Sequence, residues 1–223
     1  ISSGLVGSEM CIRDRVIGMQ DHIIHVLSIK GFAKEEALAV AAGLEVSDVE
    51  LIAQNLIDEG LLERSRIGMK LTEKGKAAAA KILEDVRQTT DLAALETFYQ
   101  AFTPINQDYK KSVSSWQIKT VGESAEPNDH KDTEYDQQVL TEMFKDHDSL
   151  KHLIATCLAS CPLLRAYARR LEIAYAHVSA GRHQFVTGAL IDSYHTVWFE
   201  FHEALIRLSG RDRASEAAAG RAD

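Results

Sequence analysis

The chain has 223 residues, 45% apolar and 26% charged, with a formal net charge of −8. That balance suits a globular protein of one large or two small domains, at about 150 residues per domain. It excludes a wholly disordered chain, a disulfide-stapled miniprotein and a protein that coats nucleic acid through bulk charge, while leaving room for a basic patch on an acidic body.

The opening run Ser3-Gly-Leu-Val-Gly-Ser-Glu-Met-Cys-Ile-Arg-Asp-Arg15 resembles a translated sequencing-adaptor artefact found at the ends of unrelated reading frames. The resemblance implies that residues 1–15 carry no fold or function, that they are disordered, and that native sequence starts near Val16. Cys11 then has no weight, which leaves Cys157 and Cys161. Without framework cysteine spacing or a signal-peptide pattern, a reducing, cytoplasmic compartment is expected. No run approaches the roughly 20 apolar residues of a membrane span, so no membrane partner is expected.

Residues 16–90 read as helix, helix, helix, hairpin, helix. Between Lys34 and Gly60, two short helices meet at a turn: Ala39 allows close approach, Gly43 supplies left-handed backbone, and Leu38, Ala42, Leu44, Val49 and Ile52 form the interior. Ser47-Asp-Val-Glu50 fits a capping box, and Gly60 ends the second helix. Leu61 to Thr72 then reads as two strands around a tip at Arg66-Ile67-Gly68, and Thr72-Glu-Lys-Gly-Lys opens another helix.

The order of helix-turn-helix, Gly60-Leu-Leu exit, basic hairpin and Leu71-Thr-Glu-Lys-Gly75 resembles the winged-helix domain of MarR-type bacterial transcription regulators over about residues 20–88. The fold class expected is mainly α: a winged helix of three helices plus a two-stranded β wing, followed by an all-α bundle. The resemblance implies that the helix from Ser47 enters the major groove of double-stranded DNA and that the hairpin touches the backbone. Outward positions are Ser47, Asp48, Glu50, Leu51, Gln54, Asn55 and Asp58. Gln54 and Asn55 suit adenine edges, and Ser47 suits a phosphate. Asp48 and Glu50 repel phosphate and read equally as helix-start acids. The wing supplies the positive charge. Five cations (Arg64, Arg66, Lys70, Lys74, Lys76) face two acids between Glu63 and Lys76, while residues 16–90 hold nine basic against twelve acidic residues. The candidate DNA-binding set is Ser47, Leu51, Gln54, Asn55, Arg64, Arg66, Lys70 and Lys74. An acidic groove helix also fits a winged helix that binds protein and not DNA, and that alternative stays open.

Residues 91–119 form an amphipathic connecting or dimerisation helix with Phe98, Phe102, Ile105, Tyr109, Val113 and Trp116 on one face and a restart at Pro104. Residues 120–136, with six acids against one lysine, read as a flexible linker. In the helical domain 137–210, Leu150, Leu153, Ile154, Cys157, Leu158 and Cys161 make an apolar stripe. There the cysteines read as core, with a metal or redox pair including His152 as the alternative. A last helix is expected over about Thr187–Leu208, with Phe199 and Ile206 as an outer apolar patch for a further helix or subunit. Phe201 to Gly210 is similar to a run in the helical ligand domain of FadR/GntR-type regulators, where a histidine can bind metal. His195 and His202 are therefore candidate effector or metal residues, with core-edge histidines as the other reading. The tail 211–223 is expected to be disordered. No cofactor, resident metal or enzyme motif is expected; the expected partners are DNA, a second copy of the chain in a homodimer, and a small-molecule effector.

Overall fold

The computed structural model describes residues 6–121, 124–157 and 162–220, with side chains from Gly18 onward except at 121, 156, 157, 162 and 165. It is mainly helical with two small antiparallel sheets, and it divides into two compact units at Thr89/Thr90. Among the described residues, no helix is long and apolar enough to cross a membrane.

The first unit contains α1 (Val6–Lys30), β1 (Phe32–Ala33), α2 (Glu35–Ala42), α3 (Val46–Asp58), β2 (Leu62–Ser65), β3 (Gly68–Leu71) and α4 (Glu73–Thr89). Helix α1 reaches back through the adaptor-like run to Val6, where the sequence leads one to expect disorder. Its apolar residues Ile23, Val26 and Leu27 pack with Leu38 of α2 and with Val49, Ile52 and Leu56 of α3 in one core. Helices α2 and α3 end by the same device. Gly43 (φ 69°) and Gly60 (φ 71°) turn left-handed, and the next amides, of Leu44 and Leu61, bond back to Ala39 and Leu56 at 3.0 and 2.8 Å. The start of α3 differs from expectation. Glu45 is its cap, without a side-chain capping bond, and Ser47 lies inside the first turn, so there is no capping box.

The hairpin β2–β3 pairs Leu62 with Leu71 and Ser65 with Gly68, and β1 adds a third strand on β3, giving the order β1-β3-β2. The two-residue β1 has no sequence signature. Thr72 joins hairpin to helix: its hydroxyl donates to the Gly60 carbonyl at 2.7 Å and accepts from the Gly75 amide at 3.1 Å. A Cβ on Gly75 would lie 2.0 Å from the Leu61 carbonyl oxygen, so the α4 backbone sits where only glycine fits.

The second unit begins with α5 (Leu92–Gln117), whose cap Asp91 accepts from the amides of Ala93 and Ala94. The helix runs through Pro104 without the expected restart. Phe102 and Asn106, on either side, are buried, while Pro104 is exposed, so packing carries the helix across a lost backbone bond that faces solvent. The apolar face of this connecting or dimerisation helix packs on the chain's own later helices: Phe98 and Phe102 meet Phe201, and Tyr109 stacks on Trp198.

The expected acidic linker 120–136 is structured where described. Strands β4 (Ile118–Val121) and β5 (Ser124–Pro127) form a hairpin, and α6 (Thr133–Cys157) starts inside the same segment. Asp136, only 4% exposed, accepts from Asn128 Nδ2 at 2.7 Å and lies 3.0 Å from His130 Nδ1. The acid is thus anchored rather than solvated. A 3-10 turn (Pro162–Leu164), α7 (Arg165–Ser179), α8 (Gln184–Thr187), α9 (Tyr194–Leu208) and α10 (Arg213–Ala218) complete the unit. The last long helix begins later than expected because the Ser193 hydroxyl caps it at the Thr196 amide. Instead of fraying throughout, the tail forms α10, held by the buried Glu216 carboxylate accepting from Tyr99 Oη at 2.5 Å. Polar anchoring does here what an apolar face usually does.

Gly75→Ala should destabilise the first unit by about 1–3 kcal/mol, the usual cost of forcing a methyl into a filled site. Urea unfolding followed by circular dichroism measures it, and an unchanged midpoint contradicts the close approach.

Candidate functional site

Helix α3 separates cleanly into two faces. Val49, Ile52, Ala53 and Leu56 are at most 5% exposed, while Ser47, Asp48, Glu50, Leu51, Gln54, Asn55 and Asp58 are all exposed, with Leu51 at 66%. The 3.6-residue period thus puts every expected contact residue of this helix on the outside. Asn55 has no side-chain partner among the described residues, whereas Gln54 Nε2 donates to Asp58 Oδ1 at 2.8 Å. The outward face holds Asp48, Glu50 and Asp58, and no cation.

The hairpin cations are exposed but mostly engaged. Arg64 pairs with Glu35 at the start of α2, a residue 29 positions away that no local spacing connects with it. Glu35 is held below its ordinary carboxylate range, first by its own backbone amide at the helix start and then by Arg64. Lys70 pairs with its cross-strand neighbour Glu63 at 2.8 Å, which raises its affinity for the proton, and Lys76 pairs with Glu73 at 2.7 Å. Lys74 donates to the Glu59 carbonyl at 2.6 Å, closing the C-terminal end of α3. Arg66, at the tip, has no ion-pair partner among the described residues. The tip itself is shaped by Ser65, whose hydroxyl donates to the Gly68 carbonyl at 2.7 Å.

In the second unit, His195 and His202 share an angular position on α9 but stand two turns apart. At 1.5 Å per residue that is about 10 Å along the axis, too far for one ion. Among the described residues no group of three or more metal-ligating side chains comes together. His202 is buried, with Phe102 edge-on at 5.2 Å and Tyr99 at 6.2 Å. Burial, with the Arg213 charge second, lowers its pKa to about 4. The expected apolar patch also divides: Ile206 is 1% exposed, whereas Phe199 is 44% exposed with the Arg213 guanidinium 4.3 Å above its ring. On the apolar stripe of α6, Leu150 and Ile154 are buried; Leu158 and Cys161, and the side chain of Cys157, lie outside the described residues.

Sequence reasoning missed two buried polar groups. Arg170 of α7 is 3% exposed between Asp192 and Glu200, each at 2.7 Å; the Glu200 contact is ionic and off hydrogen-bond geometry. His147 of α6 places Nδ1 2.9 Å from Tyr194 Oη. Both join residues 22 to 47 positions apart, so no local spacing announces them. Comparison with protein-family models, curated proteins and solved structures finds no match to this chain.

The low pKa of His202 sets a pH dependence. Its folded value, about 4, lies below the ordinary 6.5, so the unfolded chain binds more protons between these limits. The stability is complete above about pH 6.5 and is lost as pH falls toward 4. Asp146, pushed up to about 6 mainly by burial, acts oppositely: its contribution is present at low pH and is lost as pH rises through 6. His202→Phe should therefore remove up to about 3 kcal/mol of pH-dependent stability between pH 6.5 and 4 relative to the unmodified chain. Urea midpoints across that range test it, and parallel curves for the two proteins refute it.

Proposed function

We propose that the first unit is a winged helix binding double-stranded DNA, within a transcription regulator that acts as a dimer. The observation that carries the reading is the joint exposure of Ser47, Leu51, Gln54 and Asn55 on one face of α3, followed in the chain by a hairpin tip whose Arg66 has no partner among the described residues. The chain order of helix, short strand, two helices joined through Gly43, hairpin and helix supports it, as does the three-stranded order β1-β3-β2. In this reading α3 lies in the major groove, where Asn55 and Gln54 read adenine edges while Arg66 and the hairpin lysines bind phosphates. The Lys70–Glu63 and Lys76–Glu73 pairs are solvent-exposed, and the Arg64–Glu35 pair is exposed on its arginine side. Such pairs are worth about 0–1 kcal/mol, so phosphate can displace their carboxylates. A dimer follows from operators built of two half-sites, and the helical second unit is its natural seat.

A second reading rests on one specific observation: the outward face of α3 combines Asp48, Glu50 and Asp58 with an exposed Leu51 and no cation. That surface suits a basic, partly apolar protein partner better than it suits phosphate.

Fluorescence anisotropy with duplexes from the region upstream of the gene separates the two. Arg66→Ala should weaken binding to every duplex by roughly fivefold near 0.15 M salt, the contribution of one released counterion, and should reduce the salt slope by about one. Asn55→Ala should relax sequence preference. Glu35→Gln, which frees Arg64, should tighten binding by a similar factor. No retention of any duplex at low salt rejects DNA binding and supports the protein-binding module.

A further inference from the structure

Between helices α6 and α7 lies a cleft of about 240 Å³, open to solvent on one side, that none of the readings above uses. Leu150 and Ile154 line it from α6, and Ala168 and Leu171 from α7. At one side Lys151 and Glu172 pair at 2.9 Å. The cavity's buried polar group is His147, whose side chain is only 4% exposed.

Its ring is held by two contacts. Tyr175 stacks on it at 4.1 Å with planes 9° apart, which fixes the plane of the ring. Tyr194 Oη lies 2.9 Å from Nδ1, and the Tyr194 hydroxyl is buried, which keeps it protonated. With Tyr194 donating to Nδ1, the ring proton sits on Nε2. Burial also favours the neutral ring, against the opposing pull of Glu172. Nε2 is buried and, among the described residues, has no hydrogen-bond partner. Glu172 Oε1, at 3.7 Å, is beyond reach and already serves Lys151.

An N–H donor without an acceptor, fixed against an apolar cavity, is a feature that folded proteins rarely retain without an occupant. Water is a poor one. The space would hold several molecules, but among the described residues the walls offer them little beyond the His147 donor and the Lys151–Glu172 ion pair at one side. The geometry points to a binding site for a small, uncharged, largely apolar organic molecule that presents one acceptor, such as a ketone, ester or amide oxygen, to His147 Nε2–H. A carboxylate ligand would meet Glu172, whose charge is only locally balanced, and a pure hydrocarbon would leave the donor unserved. The site lies wholly within the second unit and holds whether or not the first unit binds DNA.

Saturation-transfer NMR and titration calorimetry on the full chain, with no DNA present, test it with three probes of one size: acetophenone, ethylbenzene and benzoate. Acetophenone should bind about five- to tenfold more tightly than ethylbenzene, the effect of one hydrogen bond to a buried donor, and benzoate should bind weakest. Binding should shift the His147 Nε2 resonance. His147→Phe should erase the preference of acetophenone over ethylbenzene. Since that change also removes the Tyr194 contact, Ala155→Trp serves as the second variant: it fills the cavity from an exposed lining position, leaves His147 in place, and should abolish binding of both neutral probes. Absence of acetophenone binding, equal affinity for ethylbenzene, benzoate binding as tightly as acetophenone, or binding undiminished in Ala155→Trp would each overturn the assignment.

Discussion

The second unit depends on how Trp198 is seated. Its ring stacks on Tyr109 at 3.9 Å and lies 5.8 Å from Phe102, while its indole N–H donates to Asn106 Oδ1 at 2.8 Å. All four side chains are buried. A buried indole stripped of its acceptor costs about 1–3 kcal/mol, so the polar bond selects one register of α9 on α5 where greasy packing alone would tolerate several. One turn earlier on α9, Tyr194 rests against Tyr109 and places its hydroxyl on His147. A single helix crossing therefore sets which hydroxyl meets a histidine on a third helix.

The first unit shows a different economy. Its core is apolar and ordinary, and three of the cations in and just after its hairpin sit in short-range pairs that cancel locally: Arg64 with Glu35, Lys70 with Glu63, Lys76 with Glu73. A hairpin whose sequence carries a surplus of positive charge thus presents less free charge than a count of residues implies. Among the described residues, Arg66 at the tip and Lys74, which donates to the Glu59 carbonyl, have no carboxylate partner.

How much of this was legible beforehand depends on the range of the interaction. The inward face of α3, the Gly43 turn, the hairpin and its Thr72 junction follow from local periodicity and turn chemistry, and the structure has all of them. What escaped reading is what distant residues do to local preference. Pro104 reads as a break, yet packing on both sides keeps α5 whole. The acidic run 120–136 reads as solvated, yet Asn128 and His130 gather on Asp136. The tail lacks an apolar stripe, yet Tyr99 and Glu216, 117 positions apart, hold α10. At the candidate DNA surface, exposure could be read residue by residue, but the Arg64–Glu35 pairing could not. His195 and His202 seem neighbours on a helical projection only because it discards the axial coordinate.

Arg170, enclosed by Asp192 and Glu200, also constrains how this protein can diverge. Loss of the guanidinium alone would take a cation at 2.7 Å from two carboxylates at once, and loss of one carboxylate would leave the buried cation half-compensated. The three positions are locked to one another: a lineage can abandon them together for hydrocarbon or keep them together, and the single-step intermediates are the unfit ones. Kin of this chain should accordingly fall into two groups at these positions, with few sequences between.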